Sequence, residues 1–491
     1  MPERQTTDRP NVVLILADDM GYGDVEFMNP ESRIPTPEMN ALAERGRVFT
    51  DAHANAAVCT PTRYGILTGR YCWRSRVPHG TLNGYDPPLV EPDRMNLARL
   101  LKQCGYATGY VGKWHLGLDW TTRDGEEPTD EGWNVDFAAE LTGGPVDLGF
   151  DYHFGISASL NMPPYCFIED RRVVGAPTEV KDPVRIGERP APTAPDWSDE
   201  AVGPRLTGEA LGFLERHQAK RPDTPFFLYL ASQAPHQPTV PGPRFRGLSQ
   251  AGPRGDMVCE FDWTVGQVVR KLEEMGKPED TLLIVTSDNG ARYGDPLEHV
   301  ADDPRADGAP RRGNDVSYGH KSCGELRGQK TEIWDGGHRV PFVACWPSRV
   351  PEGSRSDEQL CLTDILATAA DLLDCRLPHD AGEDSYSLLP ALLGRGTREP
   401  IREATVYQSW LGMPAIRQGR WKLVTQRGSG GFTQPSFYSP EPGEPEGQLY
   451  DMGDDTAEQQ NLYLERPEVV EGLRDLLTGY QESDRSAPRH T

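Results

Sequence analysis

This chain has no Cys-x-x-Cys pair among its nine cysteines, no apolar run near the ~18 residues that span a bilayer, and too little positive charge. Scattered cysteines suggest neither a structural zinc site nor a dense disulfide framework. The missing apolar run excludes a membrane-spanning helix. With 51 Lys and Arg against 75 Asp and Glu, the formal net charge is −24, which argues against nucleic acid and anionic membrane surfaces as partners. The same charge repels an anionic substrate at long range, so any anion site must be a local cluster of Arg, Lys, His and metal. The opening M-P-E-R-Q-T-T-D-R-P lacks the apolar core of a secretion leader. As given, the chain is expected in the cytoplasm, or in the periplasm or medium if a leader has been removed.

What is present is ordinary for a globular protein with a real core: 36% hydrophobic and 26% charged residues over 491 positions. That length holds about three average domains, or one large α/β domain with an appendage. Residues 11–17, N-V-V-L-I-L-A, form a continuous apolar run ending in Asp18-Asp19, the pattern of a buried parallel strand. Helical spacing follows at 36–46, then a strand from Val48 to His53, a helix at 94–104 stopped by Gly105, and a strand from Tyr106 to Val111. Residues 120–205 are rich in Pro, Gly and charge, with strand-like pieces such as F-D-Y-H-F-G, and read as long loops over one face of the sheet. The rhythm resumes with a helix at 205–217, a strand at 226–231, a helix at 257–276 and the T-L-L-I-V-T strand before Asp288-Asn289. After a loop-rich insertion at 291–325 come the strand F-V-A-C-W and a helix at 362–373. From about 400 the texture changes to hairpin strands (404–425), a Gly/Pro-rich loop (428–447) and a closing helix (467–480). The expected fold is therefore α/β: a large, mostly parallel sheet sandwiched by helices over 1–399, then a smaller C-terminal α+β subdomain, 400–491, with an antiparallel sheet.

Functional loops of such sheets lie at the carboxyl ends of the strands. Asp18-Asp19, His115, His236 and Asp288-Asn289 each follow a different strand, which argues for one shared site. Asp18, Asp19, Asp288 and Asn289 offer three carboxylates and an amide oxygen, hard ligands that suit Ca²⁺ or Mg²⁺ rather than zinc or copper. Mixed ligation in a loose cage favours Ca²⁺. Lys113 and His115, two apart on an extended segment, point to the same face. A further signal is V-C-T-P-T-R-Y-G-I-L-T-G-R at 58–70. Pro61 favours the first turn of a helix, placing Cys59 at its positive end, with Arg63 about one turn on.

The stretch from Cys59 through Pro61 and Arg63 to Leu67-Thr68-Gly69-Arg70 resembles the signature of the type I sulfatases, of the alkaline phosphatase superfamily. The resemblance runs from about Asn11 to the C-terminal segment Q-L-Y-D-M-G-D-D. It implies that a formylglycine-generating or sulfatase-maturating enzyme oxidises Cys59 to Cα-formylglycine, the hydrated aldehyde that attacks a sulfate ester. It also implies that Asp18, Asp19, Asp288 and Asn289 are ligands of one Ca²⁺. Lys113 and His115 in G-K-W-H-L-G, His236 in A-P-H-Q-P and Lys330 in R-G-Q-K match the family's substrate-facing residues. The implied roles are a hold on one formylglycine hydroxyl by Arg63 and the metal, charge stabilisation by the metal, Lys113 and Lys330, protonation of the leaving alkoxide by His236, and deprotonation of the second formylglycine hydroxyl by His115. The expected substrate is a sulfated small molecule or saccharide. Trp73, Arg74 and Arg76 in the loop after the helix are expected to offer a stacking platform and a second anion contact for a sulfated sugar. Two alternatives carry the same residues: a phosphonate monoester or phosphodiester hydrolase, and a silent anion-binding protein with unmodified Cys59.

Overall fold

The computed structural model describes residues 9–182, 190–292, 318–396 and 399–489. Most of the insertion expected at 291–325 lies outside them.

A ten-stranded sheet runs through the main body. Five adjacent strands at its centre are parallel: Thr281–Ser287, Asn11–Asp18, Phe226–Pro235, Ala107–Lys113 and Tyr152–Ile156. We label the four that end at the site, in chain order, β1 (Asn11–Asp18), β2 (Ala107–Lys113), β3 (Phe226–Pro235) and β4 (Thr281–Ser287). All residues of these four strands are buried, which explains why their apolar runs are continuous rather than alternating. Alternation reappears in which core each side chain joins. Val12, Leu14 and Leu16 enter one core, Val13, Ile15 and Ala17 the other. The first core is closed by helices Cys59–Thr68, Leu97–Gln103 and Ile365–Leu372, the second by Pro37–Arg45, Val202–Lys220 and Gly252–Glu274.

Three expectations need correction. The stretch 120–205 is not only loop: Tyr152–Ile156, Phe167–Glu169 and Arg172–Val174 extend the main sheet at one edge. The first falls on the strand-like F-D-Y-H-F-G; the other two are three residues long and bounded by turns, too short for a periodic signal. The single strand expected from Val48 to His53 divides into Arg47–Phe49, in the main sheet, and Ala52–His53, in a separate two-stranded ribbon. The helix expected from 257 starts earlier, at Gly252, with Pro253 in its first turn, where a missing N–H costs nothing.

The C-terminal part forms an antiparallel sheet of Thr405–Gln408, Pro414–Gln418, Trp421–Val424 and Gln448–Asp451. Helix Pro467–Glu482 packs Val470, Leu473, Leu477 and Tyr480 against Val406, Ile416, Leu423 and Leu449, together with Tyr71 of the main body. On the opposite face Ile333 and Trp334 join Tyr407, Val424 and Tyr450. Between the two bodies Lys422 Nζ lies 2.7 Å from Asp335 Oδ1 and 2.8 Å from Glu458 Oε1, with no side chain of the three exposed. Burial opposes ionisation of Asp335, but Lys422, His53, His338 and Arg339 together outweigh it and hold the carboxyl well below its ordinary range. Lys422→Met should therefore strand a buried carboxylate and cost ~3–5 kcal/mol in urea unfolding. An unchanged midpoint would show that this ion cluster does not hold the two parts together.

Candidate functional site

The four labelled strands deliver their C-terminal ends to one place, and the helix Cys59–Thr68 points its first turn at it. Thr60 Oγ1 donates to the His115 carbonyl (3.1 Å) and accepts from Leu82 N–H (3.2 Å), tying this helix to the end of β2. Gly69, in the left-handed conformation at φ 65°, ends the helix.

Cys59 is buried at the helix start. Its Sγ lies 3.4 Å from Lys113 Nζ, 3.5 Å from Lys330 Nζ and 3.5 Å from Asp18 Oδ1. Burial pushes the thiol up to about 12, and the two lysines oppose this only in part. As a plain cysteine it is a protonated thiol at neutral pH, not a ready nucleophile.

Each cation is anchored by a carboxylate or carbonyl. Lys113 Nζ sits 2.6 Å from Asp18 Oδ2, and Lys330 Nζ lies 2.6 and 2.7 Å from the two oxygens of Asp19. Arg63 donates from Nε (3.0 Å) and Nη2 (2.8 Å) to Asp288 Oδ2, and from Nη1 to the Lys113 carbonyl (2.7 Å). Burial would raise Asp18, yet Lys113, His236, Arg63 and Lys330 together hold it well below the carboxylate range. Asp288 goes the other way: burial and the Asp18 charge push it up to about 7 despite Arg63. Asp19 adopts φ 71°, a left-handed conformation that is uncommon for a residue with a Cβ and is found at functional sites.

The two histidines differ in how they are held. His115 Nε2 donates to the Leu82 carbonyl (2.7 Å), so its proton is fixed there and Nδ1 carries a lone pair. That Nδ1 is buried and meets no hydrogen-bond partner among the described residues. Burial, Lys113 and Arg63 keep this ring neutral. His236 Nδ1 donates to the Gln237 carbonyl (2.6 Å), which turns Nε2 towards Ser159 Oγ (3.5 Å) and Asp19 Oδ2 (3.6 Å). Burial and Lys330 push His236 down to about 3, against the pull of Asp19 and Asp18.

The donor set fits a hard divalent cation. Asn289 Nδ2 donates to Asp19 Oδ1 (2.7 Å) and the Gly290 carbonyl (2.9 Å), but its Oδ1 is buried and meets no donor among the described residues. An amide oxygen left so is costly unless a ligand takes it. Asp18, Asp19 and Asp288, each already paired with a cation, add further hard oxygen donors. Ligand atoms of Asp18, Asp19, Cys59 and His236 lie within 4.8 Å of one another. Oxygen chemistry favours Asp18, Asp19, Asp288 and Asn289 as the holders of such an ion, because a neutral thiol and an imidazole nitrogen are softer donors than carboxylate and amide oxygens.

All ten residues singled out in the sequence thus meet in one cluster. Ser159, the third residue after the Tyr152–Ile156 strand, was not anticipated, because a serine in a polar loop carries no distinguishing pattern. The Trp73–Arg76 loop is corrected. Arg74 makes a bidentate pair with Asp384 (2.8 and 2.9 Å) and caps the Tyr480 and Ser483 carbonyls. Trp73 stacks on Tyr71, and Arg76 binds the carbonyls of Pro87 and Pro88. These side chains hold the C-terminal helix and a neighbouring loop instead of a substrate.

Comparison with known proteins agrees with this geometry. The sulfatase family model matches residues 10–375. The chain is 34% identical to an N-acetylgalactosamine-6-O-sulfatase of Bacteroides thetaiotaomicron, over 96% of this chain and 93% of that protein. It is 32% identical to human arylsulfatase A, over 95% and 87%. A solved structure from work on glycosaminoglycan metabolism by Bacteroides thetaiotaomicron superposes with a TM-score of 0.82 at 31% identity, covering 97% of this chain and all of that one. No helix among the described residues is long and apolar enough to cross a membrane.

Proposed function

From the premise that this chain belongs to the sulfatase family and is a sulfuric ester hydrolase, we propose that it removes sulfate from a carbohydrate, using Cys59 in its formylglycine form and one Ca²⁺. The observation that carries the reading is the convergence of two ammonium groups within 3.5 Å of Cys59 Sγ, beside an oxygen set with one unmet acceptor. The carbohydrate comes from the N-acetylgalactosamine-6-sulfatase relatives and the carbohydrate-degrading context of the solved neighbour. In this reading 1–399 carries the chemistry and 400–491 is the smaller unit packed against it.

Asp18, Asp19, Asp288 and Asn289 would hold the Ca²⁺, which supplies positive charge beside the sulfate and acidifies a nearby hydroxyl. As formylglycine, residue 59 would supply a hydrated aldehyde with one hydroxyl to attack sulfur and a second to release the product. This chain's own residues do the rest. Lys113 and Lys330 bind the sulfate oxygens and meet the charge that grows on them. Arg63, locked by Asp288, fixes the first turn of the nucleophile helix. His115, with its proton tied to Leu82, presents Nδ1 as a base. His236 presents Nε2 to the leaving oxygen, and an anionic ester placed beside it offsets the lysines that keep it neutral.

His236→Ala tests the acid role. A sugar alkoxide leaves poorly without a proton, whereas a nitrophenolate needs little help. The variant should lose much more on a sugar sulfate than on 4-nitrophenyl sulfate, the gap being part of the ~10²–10⁴ of acid catalysis. Equal losses on both would refute the role. The substrate class is tested by turnover of N-acetylgalactosamine 6-sulfate beside an aryl phosphonate monoester. A strong preference for the phosphonate would overturn the sulfatase assignment for this site.

A further inference from the structure

Next to the cation cluster the chain builds an aromatic wall that the chemistry above does not use. Lys330, whose Nζ faces Cys59, is followed by Thr331 at φ 80°, a strained left-handed conformation for a β-branched residue. Thr331 N–H donates to the Ala57 carbonyl (2.7 Å), two residues before Cys59. Its carbonyl accepts from Trp410 N–H (2.9 Å), and its Oγ1 from Phe432 N–H (3.1 Å). Thr331 therefore hangs two loops of the small sheet on the frame that holds the nucleophile. Gly431 lets one of them come this close, since a Cβ there would stand 2.5 Å from Thr331 Oγ1.

The loops carry Trp410 and Phe432, edge to face with ring centroids 5.5 Å apart. Phe432 is 41% exposed and neighbouring Leu411 36%. The Arg292 guanidinium lies over the Phe432 ring at 5.2 Å, and Arg292 follows Ala291, whose carbonyl accepts from Lys330 N–H. An exposed ring with a guanidinium over it suits a ligand with an apolar C–H face and anionic or hydroxyl substituents. A pyranose of a sulfated glycan has both.

We propose that Trp410 and Phe432, with Arg292 beside them, form a subsite that stacks the sugar next to the sulfated one, so that the preferred substrate is an oligosaccharide and not a sulfated monosaccharide. The proposal rests on the carbohydrate sulfatase reading and adds the chain length and the residues that select it.

The test is Phe432→Ala, a change at an exposed side chain that leaves the ion cluster alone. Kinetics would compare 4-nitrophenyl sulfate, N-acetylgalactosamine 6-sulfate and a trisaccharide bearing that sugar at its non-reducing end. The trisaccharide KM should rise roughly tenfold, the size of one aromatic contact, with kcat and both smaller substrates unchanged. Phe432→Tyr, which keeps the ring, should restore the trisaccharide KM. An unchanged trisaccharide KM would overturn the subsite. So would an equal loss on all three substrates, or a loss confined to the aryl sulfate, which would make the wall an aryl pocket. If the wild type cleaves the aryl sulfate but neither saccharide, the carbohydrate reading itself fails, and the subsite with it.

Discussion

Cys59→Ala is expected to lower sulfate ester turnover by roughly 10⁶-fold, the scale on which removal of an essential nucleophile is felt, while the protein stays folded. The structural cost is small because the Sγ contacts only two ammonium groups and a carboxylate, all of which keep other partners. Losing one buried sulfur should cost ~1–2 kcal/mol. Cys59→Ser separates two steps. A serine oxygen would stand where Lys113 and Lys330 already point, but it has one hydroxyl, so release of sulfate would need outside water. At most a single turnover is expected from it. Sustained turnover by Cys59→Ala, above any contaminating wild type, would remove the covalent mechanism.

The second large effect concerns the oxygen cluster. Asp288→Ala should abolish bound Ca²⁺ in elemental analysis and lower turnover roughly 10³-fold, the several kcal/mol that a charge-stabilising ion supplies. That variant also takes from Arg63, 1% exposed, the carboxylate to which it donates twice, leaving Asp18 at 3.7 Å, so some loss of stability is expected as well. Asn289→Ala separates the causes, because its Oδ1 meets no donor among the described residues and Arg63 keeps its partner. It should keep the fold yet lose the stabilisation that Ca²⁺ gives the wild type. At Ca²⁺ a hundredfold above Kd that stabilisation is about 2.7 kcal/mol, a rise of several degrees in Tm. A Tm that rises equally with Ca²⁺ in wild type and Asn289→Ala would place the ion elsewhere. Two zinc ions per chain would contradict the site altogether.

The sequence showed the site more fully than the fold. Strands buried on both faces read as unbroken apolar runs, so Asp18, His115, His236 and Asp288 could be placed at the ends of β1 to β4 without any contact information. Their convergence follows from parallel strands sharing one carboxyl edge. Short edge strands were illegible for the opposite reason. Arg172–Val174 is held by pairing with Phe167–Glu169, a tertiary interaction with no local signature. The Trp73–Arg76 loop misled because Trp and Arg look alike whether they face a ligand or a carboxylate. Asp384, which captures Arg74, lies more than 300 residues away. Trp410 and Phe432 sit in two loops of the small sheet that meet each other and Thr331, tertiary contacts with no local signature. Ser159 and the Leu82 carbonyl, which set the histidines, likewise had no pattern to announce them.

The most direct measurement is the mass of the tryptic peptide 48–63, V-F-T-D-A-H-A-N-A-A-V-C-T-P-T-R, from an active preparation. Conversion of the Cys59 CH₂SH to an aldehyde removes H₂S and adds one oxygen, and the aldehyde reacts with a hydrazide probe that a thiol does not. The account predicts that the lighter, hydrazide-reactive peptide is present in proportion to specific activity. Full activity in a preparation whose peptide is entirely the unmodified thiol would contradict it.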